Sequence, residues 1–176
     1  GHIFNCLSHD RERWILEGDI KSCFDQISHE WIEKHIPVKR KVLREFLKSG
    51  YIHKKKLYPT TSGSPQGGII SPCIANMTLD GIEHMIMKKY SSSPTGKINK
   101  TYNTEKVHYY RYADDFIVSA KSRNTLEDIK CLLDEFLEKR GLKLSEEKTV
   151  ITHVRTGIDF LGWNIRKHGT KLIITP

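Results

Sequence analysis

The sequence predicts an α+β fold in which an antiparallel sheet carries helices on one face. Short segments rich in β-branched and aromatic residues are interspersed with segments whose apolar residues recur at helical spacing. Some neighbouring strand segments are separated by only a few turn-forming residues, which favours hairpins and therefore antiparallel pairing. The 176 residues are enough for one domain with a core of its own.

The N-terminal half is predicted to hold one strand, three helices and a short hairpin. Apolar residues at helical spacing indicate the helices, while Ser28, Pro37 and Gly50 supply one cap and two stops. The predicted segments are a strand at 14–20, a helix between Ser28 and Pro37, a helix at 38–48, a hairpin at 51–61, a Gly/Pro loop at 63–68 and a long helix at 69–89.

The C-terminal half continues with a polar surface loop, a hairpin, a helix and three short strands. Asn124 and Glu127 have the spacing of a capping box at the start of this helix, and Gly141 ends it. The predicted segments are a loop at 91–106, strands at 107–112 and 116–120, a helix between Asn124 and Gly141, and strands at 149–153, 159–165 and 171–175.

The charge of the chain gives the first indication of a partner. The formal net charge is +8 with a pI near 9.3, and basic residues cluster at 39–41, 54–56, 139–140 and 166–167. This excess favours a polyanion such as a nucleic acid, and the alternative is a basic surface that is merely solvated. No apolar run approaches the ~20 residues of a membrane span, so we expect no membrane partner.

The cysteines bear on the cellular compartment of the protein, and the two chain ends bear on how much of a larger protein this sequence represents. The four cysteines are scattered without paired spacing, which predicts neither a zinc site nor a disulfide framework. A reducing compartment fits this usage, and we expect a bacterial cytoplasm with an organelle as the alternative. The chain begins without Met and Pro176 directly follows a strand-like run, so we expect residues 1–176 to be one internal piece of a larger protein.

Two adjacent carboxylates, Asp114 and Asp115, are the most informative feature of the sequence. They lie between two strand-like flanks, which puts Ala113 and Asp114 at the tip of a tight hairpin. Two like charges at a tip repel each other unless a cation lies between them, and Mg²⁺ prefers such hard oxygen ligands. Asp19 ends the first predicted strand and supplies a third carboxylate if that strand lies beside the hairpin. A solvated Asp-Asp turn is the alternative for the pair considered alone.

Five motifs follow one another along the chain: Asp19 followed by Phe24, the segment 64–72, Tyr112-Ala113-Asp114-Asp115, the segment 141–149, and Phe160-Leu161-Gly162-Trp163. In this order they resemble the palm of a reverse transcriptase, and the details resemble group II intron-encoded reverse transcriptases, or maturases. The double glycine after Gln66 and the continuation at 69–72 favour the group II intron class, while retron and diversity-generating enzymes share much of the pattern.

The resemblance implies a catalytic centre with two Mg²⁺ ions. Asp19 and Asp114 would ligate both ions and Asp115 would be the third carboxylate, while the main-chain carbonyl of Ile20 would add a further oxygen. Lys148 would reach the triphosphate of the incoming nucleotide and protonate the leaving pyrophosphate. Taken alone, Asp19 would be a turn or capping residue and Lys148 a surface lysine.

The resemblance also implies residues that bind nucleotide, primer and template. Phe24 would exclude a 2′-hydroxyl by steric clash and so select dNTPs, the alternative being a core phenylalanine. Gln66 would contact the nucleotide or the templating base. The residues expected to contact primer and template are Gly67, Arg111, Tyr112, Leu161 and Gly162.

The implied function is RNA-directed DNA synthesis, in which dNTPs are added to the 3′-hydroxyl of a DNA primer on an RNA template. The fold would be a polymerase palm with part of the fingers, whose N-terminal strands and C-terminal thumb are missing from this sequence. Group II intron RNA would be a further partner, with a maturase role in splicing and retrohoming. The alternatives are a splicing cofactor without polymerase activity, and an RNA-dependent RNA polymerase, against which Ala113 and Phe24 argue.

Overall fold

The computed structural model describes residues 13–48, 51–53, 56–58, 63, 70–169 and 171–176. The strands are β1 Trp14–Gly18, β2 Tyr51–His53, β3 Lys56–Tyr58, β4 His108–Tyr112, β5 Asp115–Ala120, β6 Val150–His153, β7 Ile158–Phe160, β8 Trp163–His168 and β9 Lys171–Thr175. The α-helices are α1 Cys23–Gln26, α2 His29–His35, α3 Arg40–Lys48, α4 Ser71–Leu79, α5 Ile82–Tyr90 and α6 Arg123–Glu138.

The predicted α+β class with antiparallel pairing is confirmed. All strand pairs in the described residues are antiparallel, but they form three sheets where the sequence suggested one. The largest sheet has four strands in the order β4-β5-β1-β6, and the others are the β2-β3 hairpin and the three-stranded sheet β7-β8-β9. Strand pairing depends on partners far apart in sequence, which local patterns do not reveal.

Strand β1 lies inside the four-stranded sheet, between β5 and β6. Its residues Ile15 and Leu16 are fully buried, which fits a strand with neighbours on both edges and an apolar environment on both faces. Gly18 is paired with Phe116 of β5. A Cβ on Gly18 would lie 2.7 and 2.8 Å from the Cε atoms of the Phe116 ring and closer still to its Cζ atom, so only glycine fits there. Asp19 follows directly, at the end of this strand.

The described chain forms two compact units. The first contains Gly1–Asp19, Gly81–Leu133 and Leu144–Pro176, and the second contains Ile20–Asp80 and Asp134–Lys143. In the first unit a buried apolar cluster joins the four-stranded sheet to the β7-β8-β9 sheet. Its members are Ile15, Ile117, Val154, Ile158, Phe160 and Ile165.

Arg140 organises part of the second unit. Its guanidinium lies over the rings of Phe136 and Trp31, with centroid distances of 3.4 and 4.8 Å, and its Nε donates to the Thr78 carbonyl at 2.8 Å. The Arg140 carbonyl in turn accepts from the Ser28 N–H at 2.8 Å. Ser28 caps α2 as predicted, because its hydroxyl accepts from the Trp31 N–H.

Three local predictions are wrong in detail. The long helix expected at 69–89 is two helices, α4 and α5, because Asp80 is extended and Gly81 has a φ of 92° that ends helical geometry. The strand expected at 159–165 is a hairpin of β7 and β8. Helix α6 begins before the predicted capping box, and the Ser122 hydroxyl accepts from the Thr125 N–H at 3.1 Å where Asn124 was expected to cap.

The remaining segments agree with the expected order. Strands β2 and β3 pair as the predicted hairpin, and the loop at 91–106 contains an isolated bridge and one 3₁₀ turn. Gly141, with a φ of 76°, follows the end of α6 as predicted. In the described part of the chain, no helix has both the length and the apolar character needed to cross a membrane.

Candidate active site

The β4-β5 hairpin presents the two adjacent aspartates. Tyr112 pairs with Asp115, which leaves Ala113 and Asp114 as the turn that the sequence predicts. Ala113 adopts a left-handed φ of 55°, and its carbonyl accepts from the Arg111 Nη1 at 2.8 Å. Arg111 therefore stabilises the strained tip. Tyr112 is 66% exposed beside it, an unusual exposure for a large aromatic ring.

Asp19 and Lys148 meet near the same hairpin. Because β1 pairs with β5, Asp19 emerges from the sheet close to where β5 begins with Asp115. The Lys148 Nζ lies 3.3 Å from the Asp19 Oδ2, and the two side chains are 69% and 20% exposed. An ion pair this exposed is weak, on the order of 0–1 kcal/mol, so Lys148 can leave Asp19 at little cost. The Asp19 carbonyl also accepts from the Ser145 N–H at 2.9 Å, which ties the segment before Lys148 to the strand end.

The pKa of Asp115 shows how the charges act on one another. Burial raises this pKa above its usual value, and the charges of Asp114 and Asp19 raise it further, while Lys148 lowers it. Carboxylates whose charges raise the pKa of Asp115 are close enough to share a cation with it. The three aspartates and Lys148 thus form one electrostatic cluster within the first unit.

A cavity of about 330 Å³ lies at this cluster. The residues that line it are Glu17, Gly18, Asp19, Asp115, Phe116, Lys148, Val150, Asp159, Phe160 and Leu161. The cavity therefore brings the motifs around Asp19, Asp115 and Lys148 together with the β7-β8 turn.

Sequence reasoning missed two acidic residues of this cavity, Glu17 and Asp159. Burial raises the pKa of Glu17, and the charges of Asp159 and Asp115 add to the increase, while a hydrogen bond from the Asp159 main-chain N–H lowers it. The signal that could have found Glu17 is its position, since side chains two residues apart on an extended segment face the same side and Asp19 follows two residues later. No local signal links Asp159 to them.

The donor set fits a divalent metal ion that is shared with a substrate. Carboxylate oxygens are hard ligands, and the mutual repulsion at Asp115 is relieved by a cation. No three His, Cys, Asp or Glu side chains within the described ranges are already grouped as a closed metal site. A preformed group of three such side chains is not required for Mg²⁺, which usually binds through one or two carboxylates and completes its coordination shell with water and substrate phosphates.

The β7-β8 turn forms one wall of the cavity. Leu161 and Gly162 have φ angles of 54° and 77°, and Leu161 is 46% exposed. Phe160 is buried in the apolar cluster, so it anchors the turn, whereas Trp163 is 49% exposed and is not a core residue. An exposed turn held by a buried neighbour is suited to contacting a bound molecule.

The other predicted site residues belong to the second unit or lie outside the described residues. Ile20 and Phe24 belong to the second unit, where Ile20 is buried and Phe24 is half-buried in the short helix α1. Their predicted roles toward metal and nucleotide stay predictions. Gln66 and Gly67 lie outside the described residues.

The family model for the reverse transcriptase (RNA-dependent DNA polymerase) matches residues 3–165 of the chain. The chain belongs to the reverse transcriptase family. Reverse transcriptases depend on a divalent metal ion, which agrees with the donor set described above.

Several curated relatives agree with the resemblance to group II intron-encoded enzymes. This reverse transcriptase chain is 34% identical to the group II intron-encoded protein LtrA of Lactococcus lactis, over 88% of the chain and 35% of LtrA. It is 30% identical to protein YkfC of Escherichia coli, over 86% of the chain and 46% of YkfC. It is also 30% identical to a putative COX1/OXI3 intron 1 protein of Saccharomyces cerevisiae, over 86% of the chain and 24% of that protein. The chain thus spans about a quarter to a half of these relatives.

Solved structures support the fold. The apo telomerase from Candida tropicalis, truncated from its C-terminal domain, superposes with a TM-score of 0.67 at 17% identity, over 96% of this chain and 37% of the telomerase. A telomerase from Candida albicans gives a TM-score of 0.66 at the same identity, over 92% of this chain and 30% of that one. At this identity the likeness establishes the architecture alone.

Proposed function

We propose that the protein containing this chain is an RNA-directed DNA polymerase, and that the chain forms the palm and part of the fingers. The observation that carries the proposal is a cavity lined by Asp19, Asp115 and Lys148, with the Asp114 charge acting on Asp115, in a member of the reverse transcriptase family. The substrates are dNTPs, an RNA template and a DNA primer with a free 3′-hydroxyl.

Asp19, Asp114 and Asp115 hold the metal in this proposal. Two Mg²⁺ ions would activate the primer 3′-hydroxyl and stabilise the charge that develops on the leaving pyrophosphate. Asp19 and Asp114 would hold the ions, Asp115 would adjust the charge of the centre, and the Ile20 carbonyl would add an oxygen. The raised pKa of Asp115 supports this assignment, because repulsion among the carboxylates favours cation binding.

Lys148 changes partner when a nucleotide binds. Its ammonium neutralises Asp19 in the free protein and, being 69% exposed, can turn to the triphosphate once Asp19 takes up metal. At the triphosphate, the Lys148 Nζ donates a proton to the leaving pyrophosphate. General acid catalysis of this kind contributes roughly 10²–10⁴-fold to a rate.

The remaining residues select the nucleotide and hold the nucleic acid. Phe24 leaves no room for a 2′-hydroxyl, and Gln66 contacts the nucleotide or templating base. The proposed contacts to primer and template come from Gly67, Arg111, Tyr112, Leu161 and Gly162. The exposure of Tyr112 and Leu161 beside the carboxylates supports two of these contacts. Most other contacts are to phosphate and sugar, which makes binding sensitive to salt.

Group II intron RNA is the proposed second partner, with a maturase role in splicing and retrohoming. The support is the similarity to a group II intron-encoded protein, together with the net charge of +8. A splicing cofactor without polymerase activity is the alternative function, and the same two observations favour it. The bacterial relatives favour a bacterial cytoplasm, and an organelle is the alternative because fungal intron proteins match as well.

Primer extension tests the polymerase proposal. We expect the full-length protein to extend a DNA primer on an RNA template with Mg²⁺ and dNTPs, and Asp114→Ala to abolish extension. Glu135→Ala is the control, since it removes an exposed carboxylate on α6 and is expected to leave extension unchanged. Failure of the unaltered protein to extend, with intron RNA still bound by it and by Asp114→Ala, would instead establish the splicing cofactor.

A further inference from the structure

The main-chain N–H and carbonyl of Gly63 are both hydrogen-bonded. Its N–H donates to the Ile27 carbonyl at 2.9 Å, and its carbonyl lies 2.7 Å from the Nε2 of His29. Because a carbonyl can only accept, the His29 Nε2 carries the hydrogen. His29 is the first residue of α2, so the helix start reaches across 34 positions of sequence to fix this glycine.

Gly63 packs directly against the main chain of α1. A Cβ on Gly63 would lie 2.5 Å from the Asp25 Cα and closer still to the Phe24 carbonyl oxygen, and the residue has a left-handed φ of 71°. Neither neighbour is a flexible side-chain end, so there is no room for Gly63 to carry a side chain. The backbone of Phe24 therefore rests on the backbone of Gly63.

Helix α1 has little stability of its own. It is four residues long, and Ser22 at its start has a left-handed φ of 46° without a side-chain cap. Two of the hydrogen bonds that support it run from the Asp25 and Gln26 N–H groups to the Ser22 carbonyl. Helices this short depend on tertiary contacts, and Gly63 supplies one at Phe24.

We propose that His29 is a positioning residue for nucleotide selection, because by holding Gly63 it fixes the backbone that carries Phe24. The inference rests on the proposed role of Phe24 in excluding the 2′-hydroxyl. Exclusion by clash works only if the ring cannot yield, since a displaced ring accommodates the extra oxygen. Without the His29 bond, the Gly63 carbonyl loses this partner while its N–H stays bonded to Ile27, so α1 loses part of its support and Phe24 can shift.

Four variants test this inference in the full-length protein. His29→Leu removes the donor, whereas His29→Gln keeps an N–H at the reach of Nε2. His35→Leu is the control on the same helix, because the His35 Nδ1 also bonds a carbonyl, that of Trp31, at 2.9 Å. Phe24→Val reports the effect of removing the ring itself.

The measurement is kcat/KM for single incorporation of a dNTP and of the matching rNTP. We expect His29→Leu to lower the dNTP/rNTP ratio about tenfold, the factor that corresponds to 1.4 kcal/mol, and His29→Gln to stay within about twofold of the unaltered protein. His35→Leu should leave the ratio unchanged. A purely structural role of His29 would reduce both incorporations equally and leave the ratio constant.

The outcomes separate this inference from the proposed function. If His29→Leu and His35→Leu have the same dNTP/rNTP ratio while Phe24→Val admits rNTPs, the inference about His29 is overturned and the proposed role of Phe24 stands. If Phe24→Val has the same dNTP/rNTP ratio as the unaltered protein, the proposed role of Phe24 is overturned and the inference about His29 with it. If His29→Leu does not fold, His29→Asn serves instead, because its shorter amide cannot reach Gly63 and the same loss of discrimination is expected.

Discussion

Replacing Gly18 by alanine tests how the sheet holds the catalytic carboxylates. The new methyl group would lie 2.7 and 2.8 Å from the Phe116 Cε atoms and closer to Cζ, and that ring is fully buried. A buried ring cannot turn aside, so β1 and β5 must separate at this pair. Gly18 precedes Asp19 and Phe116 follows Asp115, so the separation moves two of the three carboxylates apart.

The loss of stability in Gly18→Ala follows from the packing of this core. Overfilling a core by a methyl group costs about 1–3 kcal/mol, which lowers the melting midpoint by roughly 2–10 °C for a chain of this size. Activity should fall by more than that destabilisation explains, since a carboxylate displaced by about 1 Å can cost ~10²-fold in rate. The assays are thermal unfolding and single-turnover primer extension.

Phe116→Leu provides the matched partner. Leucine lacks the ring atoms that the new methyl group meets, so the double variant should be more stable than the sum of the two single changes predicts. Extension should recover in the double variant relative to Gly18→Ala. Strictly additive stabilities, or full activity in Gly18→Ala alone, would refute the claim that this contact sets the spacing of the carboxylates.

Two further predictions concern charge and helix capping. A carboxyl group whose pKa is higher in the folded state than in the unfolded chain favours folding at low pH, and this contribution is lost as the pH rises through the raised pKa. Because the Asp115 pKa is raised, Asp115→Asn should raise the melting midpoint at neutral pH and raise it less in acid, while primer extension drops. A melting midpoint that is unchanged at both pH values would contradict this prediction. Ser122→Ala should lower the free energy of unfolding by about 1 kcal/mol, because it removes the hydroxyl that accepts from the Thr125 N–H. Asn124→Ala should leave the stability nearly unchanged. Unfolding midpoints in the reverse order would show that Asn124 is the cap.

Local patterns in the sequence were enough to predict the Asp-Asp hairpin, the cap of α2 and the family. The flanks of Ala113 and Asp114 are rich in aromatic and β-branched residues and lie only a few residues apart, so the hairpin was predictable from neighbours alone. Ser28 was predictable as the cap of α2 for the same reason, since a cap is made within four residues. The family followed from five motifs in order, each weak alone.

Local patterns failed where two local signals competed. The apolar spacing of a helix continues across Asp80 and Gly81, and only the left-handed φ of Gly81 separates α4 from α5. Likewise Asn124 satisfies the capping pattern, yet Ser122 makes the bond. A periodic pattern records which residues are apolar, and it does not record where the backbone turns.

The contacts between distant residues follow from the tertiary structure and not from local patterns. The pairing of β1 with β5 brings Asp19 beside Asp115 and sets Gly18 against Phe116, although about a hundred residues separate the strands. The cavity adds Glu17 and Asp159 to the predicted carboxylates, and the His29 bond to Gly63 spans 34 positions. Strand register and sheet packing are set by the summed burial of many side chains, so no short motif encodes these contacts.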